Sequence, residues 1–394
     1  MRILLSEGSS LTAREFITAL GSSGHQLEVL DPDSLCLARW SRWVRRIHRC
    51  PPAGTDPAGY LDAVSRILDS NRYDVLLPTH EHAWLFSIVR ERLGARVGLA
   101  VAHPTSFARV ESKIEFAKLL DEVGLPQPAW SLVSDELRSW TYPTYIKAAF
   151  STAGRGVRLV HNDLERSQAL GELTRLSSEL MVQAPMIGEY CQVQALFDHG
   201  KLIASHSSQQ RAVGVGGSAA ARISVDHEQP RHDVQKLGAY LNWHGGLTLD
   251  YLFDGTHPSY IECNPRTVEP GNAVASGVDI PELQVRLSAG LPISPSPPGR
   301  LGVRTHGLIA VLLGSAGRGG RRGIFAQAAR AALGREEFKD SAEQLTPIVR
   351  DPLSAIPALV VLSRLLVSPR AADTIARRAV SAYSVGPDAI AMIS

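Results

Sequence analysis

The sequence predicts an open parallel α/β unit at the N-terminus, an α+β unit in the middle and a mainly helical region at the C-terminus. Three observations carry this. Strand-like and helix-like runs alternate through residues 1–100, as a small parallel sheet with crossover helices requires. From Tyr142 to about Leu196 the pattern changes to strand, Gly-rich turn, strand, helix, strand. Pro292-Ile293-Ser294-Pro295-Ser296-Pro297-Pro298-Gly299 then reads as a linker. The expected units are 1–103, 104–292 (a lobe of about 130–196 and a second of about 197–292) and 293–394.

In the first unit, Ile3–Leu5, Gln26–Leu30 and Asp74–Pro78 read as strands, and Ser10–Leu20, Pro57–Ser70 and Glu81–Leu93 as helices. The turn Ser6-Glu7-Gly8-Ser9-Ser10 is small but lacks GxGxxG, so it gives no dinucleotide site. The basic cluster Arg42, Arg45, Arg46, His48 and Arg49 reads as a solvated helix face. Glu111–Val123 looks helical and stops at Gly124, with Pro126 and Pro128 following. Helix Arg231–Asn242 leads into a hairpin of Leu247–Phe253 and Tyr260–Arg266 about the Asp254-Gly255 turn. Beyond the linker, Ile309–Leu313, Ile324–Leu333, Leu353–Val367 and Ala371–Ala382 are apolar enough for amphipathic helices, interrupted by the basic Gly317–Arg322. A helical appendage docked on the core, or a homodimer contact, is the expectation for this region.

Bulk properties fit a soluble enzyme. The 41 basic and 39 acidic residues nearly cancel, so charge gives no reason to expect a nucleic-acid partner. No run is long and apolar enough for a transmembrane helix. The four cysteines show neither CxxC spacing nor a framework pattern, and Arg2–Leu5 opens the chain without a signal-peptide apolar region. A reduced, cytoplasmic protein is expected.

The chemistry concentrates in the hairpin. Side chains alternate along a strand, so Glu262 and Asn264 share one face and Cys263 points away. Pairing in the hairpin would bring Asp250 beside Glu262. Oxygen ligands on a rigid sheet suit Mg²⁺, or Mn²⁺, held together with nucleotide phosphates. Arg266, just past the strand, could neutralise a phosphoryl group. Upstream, the strand Tyr142–Lys147 is followed by Ser151-Thr152-Ala153-Gly154-Arg155-Gly156-Val157. Gly154 and Gly156 permit a tight turn whose N–H groups can face phosphate, and Lys147 supplies charge for the same anion. Alone, this turn fits a plain hairpin loop; with Lys147 before it and the acidic hairpin after it, phosphate handling is favoured.

This order of elements resembles the ATP-grasp superfamily, within it the carboxylate–amine and carbamoyl-phosphate-synthase-like ligases, over about residues 1–292. Glu111-Ser112-Lys113 looks like the family's first lysine motif, Lys147 like its second lysine, and Ser151–Val157 like its mobile glycine loop. Met181–Tyr190 resembles the adenine and ribose hinge. The resemblance implies an ATP-grasp fold with an N-terminal Rossmann-like pre-ATP-grasp domain and a helical C-terminal appendage. It also implies ATP contacts from Lys113, Lys147, Ser151, Gly154, Gly156, Gln183, Ala184, Met186 and Glu189, and metal ligation by Asp250, Glu262 and Asn264. The sequence departs from the family at Ala184, where an acidic or amide residue is common, and at Asp250, which replaces the more common glutamate. Arg266 takes the place of the catalytic arginine. Arg211 is a second catalytic candidate, on the acyl-acceptor side, with a surface salt bridge as its other reading; Ser218 is placed nearby.

The implied reaction joins a carboxylate to an amine through an acylphosphate, with release of ADP and phosphate. Bicarbonate activation, of the carboxylase or carbamoyl-phosphate type, is the alternative within enzymes, and a non-catalytic ATP-binding protein the alternative outside them. Thr79-His80-Glu81-His82 lacks the further ligands that zinc requires, although its strand end faces the central cleft in the resembling fold.

Overall fold

The computed structural model describes residues 1–133, 141–151 and 154–393. Three sheets organise them. The N-terminal sheet contains β1 (Arg2–Leu5), β2 (Gln26–Asp31), β3 (Val44–Arg49) and β4 (Val75–Leu77), all parallel, in the order β3-β2-β1-β4. Its central strands are buried on both faces, which explains their unbroken Ile, Leu and Val runs. Helix Leu11–Ser22 starts where the Ser10 hydroxyl accepts from the Ala13 N–H, and helix Pro57–Ser70 starts on Asp56 with proline in its first turn.

The basic cluster forms an edge strand, β3, and not a helix face. Its burial decides this: His48 turns in against the Glu28 carboxylate at 2.7 Å, while Arg45, Arg46 and Arg49 stay in solvent. Arginines along an exposed edge discourage pairing with another chain. One predicted helix is divided: Glu81–Leu93 breaks at Val89. The helix expected over Glu111–Val123 forms as Lys113–Val123, capped by the Ser112 side chain just after a further helix, Pro104–Glu111, ends. Helix Lys113–Val123 closes on Gly124 at φ 69°, a left-handed position suited to glycine.

The second sheet has β5 (Trp130–Leu132), β6 (Thr144–Ala148), β7 (Val157–Val160) and β8 (Leu180–Gln183), in the order β5-β8-β6-β7. The third contains β9 (Glu189–Asp198), β10 (Lys201–Val213), β11 (Ala219–Val225), β12 (Gly245–Phe253), β13 (Pro258–Asn264), β14 (Arg304–His306) and β15 (Ser341–Glu343). Its order is β13-β12-β9-β10-β11-β14-β15. Strands β14 and β15 come from beyond the proline-rich segment, so the C-terminal region is helical but not a separate appendage: it extends the large sheet. Buried Arg14 and Asp351 also tie it to the first unit through a 2.7 Å ion pair. Helix Leu308–Leu333 takes in Gly317–Arg322 and kinks at Gly320. Helices Ala355–Val367 and Ala371–Tyr383 follow. The main core, including Tyr60, Phe107, Trp243, Tyr251 and Tyr260, fills the space between the first and third sheets. All four cysteines are free and buried. Among the described residues no helix is long and apolar enough to cross a membrane.

Candidate active site

The acidic hairpin forms with the expected register. β12 and β13 pair antiparallel, and Asp250 stands directly opposite Glu262. A bulge follows, with Tyr251 paired to Tyr260, so Ile261 is the extra residue. The Asn264 amide donates to Asp250 Oδ2 at 3.2 Å. Cys263 is buried. Burial and the neighbouring Glu262 charge raise Asp250 to about 7. For Glu262, burial acts upward but is outweighed by the Lys113 ammonium, 3.0 Å away, with Lys147 and Arg266 behind it, so its carboxyl lies below the usual range. Two carboxylates on facing strands and one amide oxygen are hard donors that fit Mg²⁺, and a cation would relieve the repulsion that raises Asp250.

The two lysines come from different elements. Lys113 opens its helix, and its ammonium donates to the Ser151 carbonyl at 2.9 Å as well as to Glu262. Lys147, on β6, donates to Gln183 Oε1 at 2.5 Å and to the Ile261 carbonyl at 3.4 Å. Burial lowers Lys147 to about 8. Of the glycine loop, Thr152 and Ala153 lie outside the described residues. Gly154 has φ 70° and packs so that a Cβ would meet the Gly216 carbonyl oxygen at 2.8 Å. Gly156 does not line the cavity. It keeps the loop tight, because a Cβ there would meet Ser151 Oγ at 2.4 Å.

These groups converge on one cavity of about 1000 Å³. Lys113, Lys147, Ser151, Gly154, Gln183, Ala184 and Met186 line it, as do Asp250, Glu262, Asn264, Arg266 and Ser218. Besides Gly156, two of the expected residues do not. Glu189 begins β9 in solvent, and strand alternation turns its neighbour Tyr190 to the cavity instead. Arg211 is exposed because the β10–β11 register shifts there: Gln210 pairs with Arg222 and Ala212 with Ala221, leaving Arg211 as the extra, outward residue. Ala184 lines the cavity but its N–H donates to the Ala129 carbonyl, at 2.8 Å.

Arg222 takes the inward position that Arg211 does not. It is buried and reaches Glu269 at 3.3 Å, with Nη1 left without a partner. Nearby Glu15 is raised to about 8 by burial and by the Glu269 charge. Glu269 sits at φ 45°, its N–H donating to Thr12 Oγ1 at 3.3 Å, on a loop whose carbonyls also accept from Gln194. Arg266 is fixed at its backbone, with its N–H on the Asn264 carbonyl at 2.7 Å and its own carbonyl on Thr248 Oγ1 at 2.8 Å. Its guanidinium donates to His80 Nε2 at 3.3 Å. His80 is held far below the ordinary histidine range, by burial first and then by Arg266, so Nε2 is free to accept. Tyr383, close to the chain's C-terminal end, packs its ring against His80 at 3.8 Å. Its partner in the sequence motif, His82, turns away to pack on Tyr60.

The unpaired buried atoms sort by sign. Among the described residues that line the cavity, His80 Nδ1, Arg222 Nη1, and Arg266 Nε and Nη1 have no hydrogen-bond partner and are donors. Gln192 Oε1 is the acceptor in this group, and Ser151 Oγ can act either way. Buried donors left unpaired cost stability. An excess of them around one cavity makes it a candidate anion site.

The sheets, lysines and acidic hairpin define an ATP-grasp fold. No protein-family model matches the chain. Among curated proteins it is 23% identical over 222 residues to the multifunctional protein pyr-3 of Neurospora crassa, covering 51% of this chain and 12% of that one. It is 23% identical over 211 residues to the carbamoyl phosphate synthase large chain of Methanospirillum hungatei, covering 48% of this chain and 20% of that one. The chain thus corresponds to a minor part of each of these relatives. Among solved structures, the biotin carboxylase domain dimer of Hydrogenobacter thermophilus 2-oxoglutarate carboxylase, with MgADP and bicarbonate, superposes with TM-score 0.61 at 18% identity, over 77% of this chain and 73% of that one. The L-amino acid ligase of Bacillus licheniformis superposes with TM-score 0.57 at 15% identity, over 73% of each chain.

Proposed function

We propose that the protein is an ATP-dependent carbon–nitrogen ligase that activates a carboxylate as an acylphosphate and joins it to an amine. The observation that carries this is the meeting of Lys113, Lys147, the Asp250–Glu262 pair and the under-bonded Arg266 guanidinium in one cavity. The fold likeness to a biotin carboxylase domain bound to MgADP supports a nucleotide here.

Lys113 and Lys147 hold the α/β-phosphates, each bringing charge from a separate sheet or helix. The Ser151–Val157 loop covers the phosphates and excludes water. Gln183, Ala184 and Met186 border the base, with Tyr190 in the cavity where Glu189 was expected. Asp250, Glu262 and Asn264 would hold Mg²⁺, which when bound would neutralise phosphate charge. A substrate carboxylate oxygen attacks the γ-phosphorus, the bond from that phosphorus to the β–γ bridging oxygen breaks, and ADP leaves. The amine nitrogen then attacks the acyl carbon, the carbon–oxygen bond to phosphate breaks, and the amine's proton passes to solvent as phosphate leaves. Arg266 is aimed at the transferring phosphoryl group and at the oxyanion of the second step. His80 orients Arg266 without competing for charge, because it is neutral.

A second reading, bicarbonate activation, draws on the similarity to carbamoyl phosphate synthase large chains. A homodimer, as in the biotin carboxylase domain, is also proposed. The test of the ligase reading is ADP release from Mg·ATP over a matrix of carboxylates and amines, with hydroxylamine trapping the acylphosphate as a hydroxamate. Hydroxamate formation that depends on the added acid is expected. ADP release driven by bicarbonate alone would favour the second reading, and ATP binding without turnover in any mixture would refute both.

A further inference from the structure

The C-terminal helices form one side of the cavity, and that side is apolar. Ile375, Ala376, Ala379, Val380 and Tyr383 from the helix Ala371–Tyr383 line it. They follow one another at intervals of one, three, one and three residues, which places them along one helix face. Behind them Ile309, Leu313, Pro357 and Val361, from the two preceding helices, continue the same wall. Leu11, at the start of helix Leu11–Ser22, Leu37, in the turn after β2, and Val215, in the glycine turn before β11, pack into the same hydrophobic cluster. Asp373 and Arg377 of this helix also line the cavity and are exposed, so the apolar wall has a charged rim.

The wall is fixed relative to the reacting groups. At its C-terminal end Tyr383 packs on His80, which accepts from Arg266. The Val385 N–H donates to Glu81 Oε2 at 2.8 Å, and Arg378 pairs with Asp33 at 2.9 Å. Toward the other end, Arg155 of the glycine loop donates to the Arg377 carbonyl at 3.4 Å. The apolar face therefore begins beside the catalytic guanidinium and runs toward the loop that covers the phosphates. From Tyr383 to Ile375 it extends about 12 Å at 1.5 Å per residue.

We infer that this wall selects the acid: the substrate is a carboxylate with an apolar body, aromatic or branched aliphatic, whose carboxylate sits at Arg266 and whose body lies against the C-terminal helices. The inference rests on the ligase reading above and names its substrate class. A small polar acid would leave the wall facing water, and a cavity of about 1000 Å³ is at the upper end of the range for one ligand, which leaves room beside a nucleotide.

The test compares ADP release by the full chain with 3-phenylpropionate, 4-methylpentanoate, leucine and phenylalanine against acetate, glycine and bicarbonate, each with the same amine pool. Binding of a non-hydrolysable ATP analogue with Mg²⁺ is measured separately. The apolar acids should exceed the small ones by about tenfold or more in kcat/KM, since each methylene in such a pocket is worth roughly tenfold or above. Ala376→Phe, which fills the chamber, should remove that preference while the analogue binds with affinity unchanged within about twofold. Ile375→Ala, which enlarges the chamber and adds no bulk to the fold, should shift the preference toward the larger acids. Equal turnover of small and apolar acids, or a preference that neither substitution alters, overturns the inference and leaves the ligase reading standing. Failure of the parent protein to bind the ATP analogue overturns both, and the separate binding measurement identifies that outcome.

Discussion

Replacing Arg266 by methionine should remove most activity while leaving stability nearly unchanged. The side chain is buried and makes one hydrogen bond, to His80 Nε2, while Nε and Nη1 have none. Each buried unpaired donor costs about 1–3 kcal/mol, and a hydrogen bond to a charged group contributes about 1.5–3 kcal/mol. Removing two unpaired donors gains about 2–6 kcal/mol, while losing that bond and leaving the buried His80 Nε2 unpaired costs about 2.5–6 kcal/mol, so stability should stay within about 1 kcal/mol of the parent; methionine fills most of the volume without strain. A change of that size moves Tm by no more than a few degrees. Loss of the same group from the transition state should lower ADP formation by about 10²–10³-fold, as removing a single oxyanion donor does. Thermal melts by circular dichroism, calorimetric titration with Mg·ATP and steady-state ADP release read the three quantities. ATP affinity should change little, because in the proposed mechanism Lys113 and Lys147 carry the phosphate contacts. A variant that melts several degrees lower and turns over within tenfold of the parent would refute the reasoning. That result would make Arg266 a structural ion and not a group held ready for a ligand.

Burial lowers Lys147 to about 8, and only its protonated form attracts phosphate. The Kd for a Mg·ATP analogue should therefore rise about eightfold between pH 7.5 and 9, and Lys147→Met should flatten that profile while weakening binding overall. Asp250→Asn should raise the Mg²⁺ concentration for half-maximal ADP release about tenfold or more, with Asp250→Glu intermediate, since a lost carboxylate weakens a hard-cation site more than a longer one does. Chelation by EDTA should abolish turnover in each case. Burial also lowers His206 to about 4 and His82 to about 3. Both are neutral in the fold, so the unfolded chain binds more protons below the ordinary histidine value of about 6.5. The stability they contribute is complete above that pH and is lost as pH falls, by about 2 kcal/mol each between pH 7 and 5. Melts across that interval should show a shallower decline for His206→Asn; an unchanged slope would contradict this assignment.

The elements that were legible in the sequence are those whose local pattern and tertiary role agree. The Asp250–Glu262 pairing follows from alternation plus a short turn, so it could be placed from two heptapeptide runs. The strands β1, β2 and β4 were legible as apolar runs because parallel strands buried on both faces have no other composition available. Strand β3 was not, since five basic residues in Arg42–Arg49 read equally as a helix surface, and only His48 finding Glu28 resolves the difference. Arg211 and Arg222 both lie where β10 and β11 pair, and a single bulge residue in β10 decides which faces inward. No local pattern encodes that bulge. Likewise His80 and Tyr383 come from opposite ends of the chain, and helical periodicity in residues 371–383 shows an apolar face without showing what it covers.

The placement of the unpaired groups accounts for the architecture. A buried guanidinium with two idle donors would be selected against in an ordinary core, where aliphatic packing of the same volume is as stable or more so. Here Arg222 and Arg266 lie at the seam of the three units, together with His80, where no one unit could satisfy them alone. The N-terminal sheet supplies His80, the large sheet supplies Arg222 and the acidic hairpin, and the C-terminal helices close the side that would otherwise admit water. Excluding water makes the unpaired donors costly, and the same exclusion strengthens their attraction to an anion that enters. A ligand with phosphate and carboxylate oxygens would pair with those donors. The folded protein should therefore gain more stability from Mg·ATP together with the acid than from the sum of the two bound separately, because each brings oxygens to donors that the other leaves unpaired.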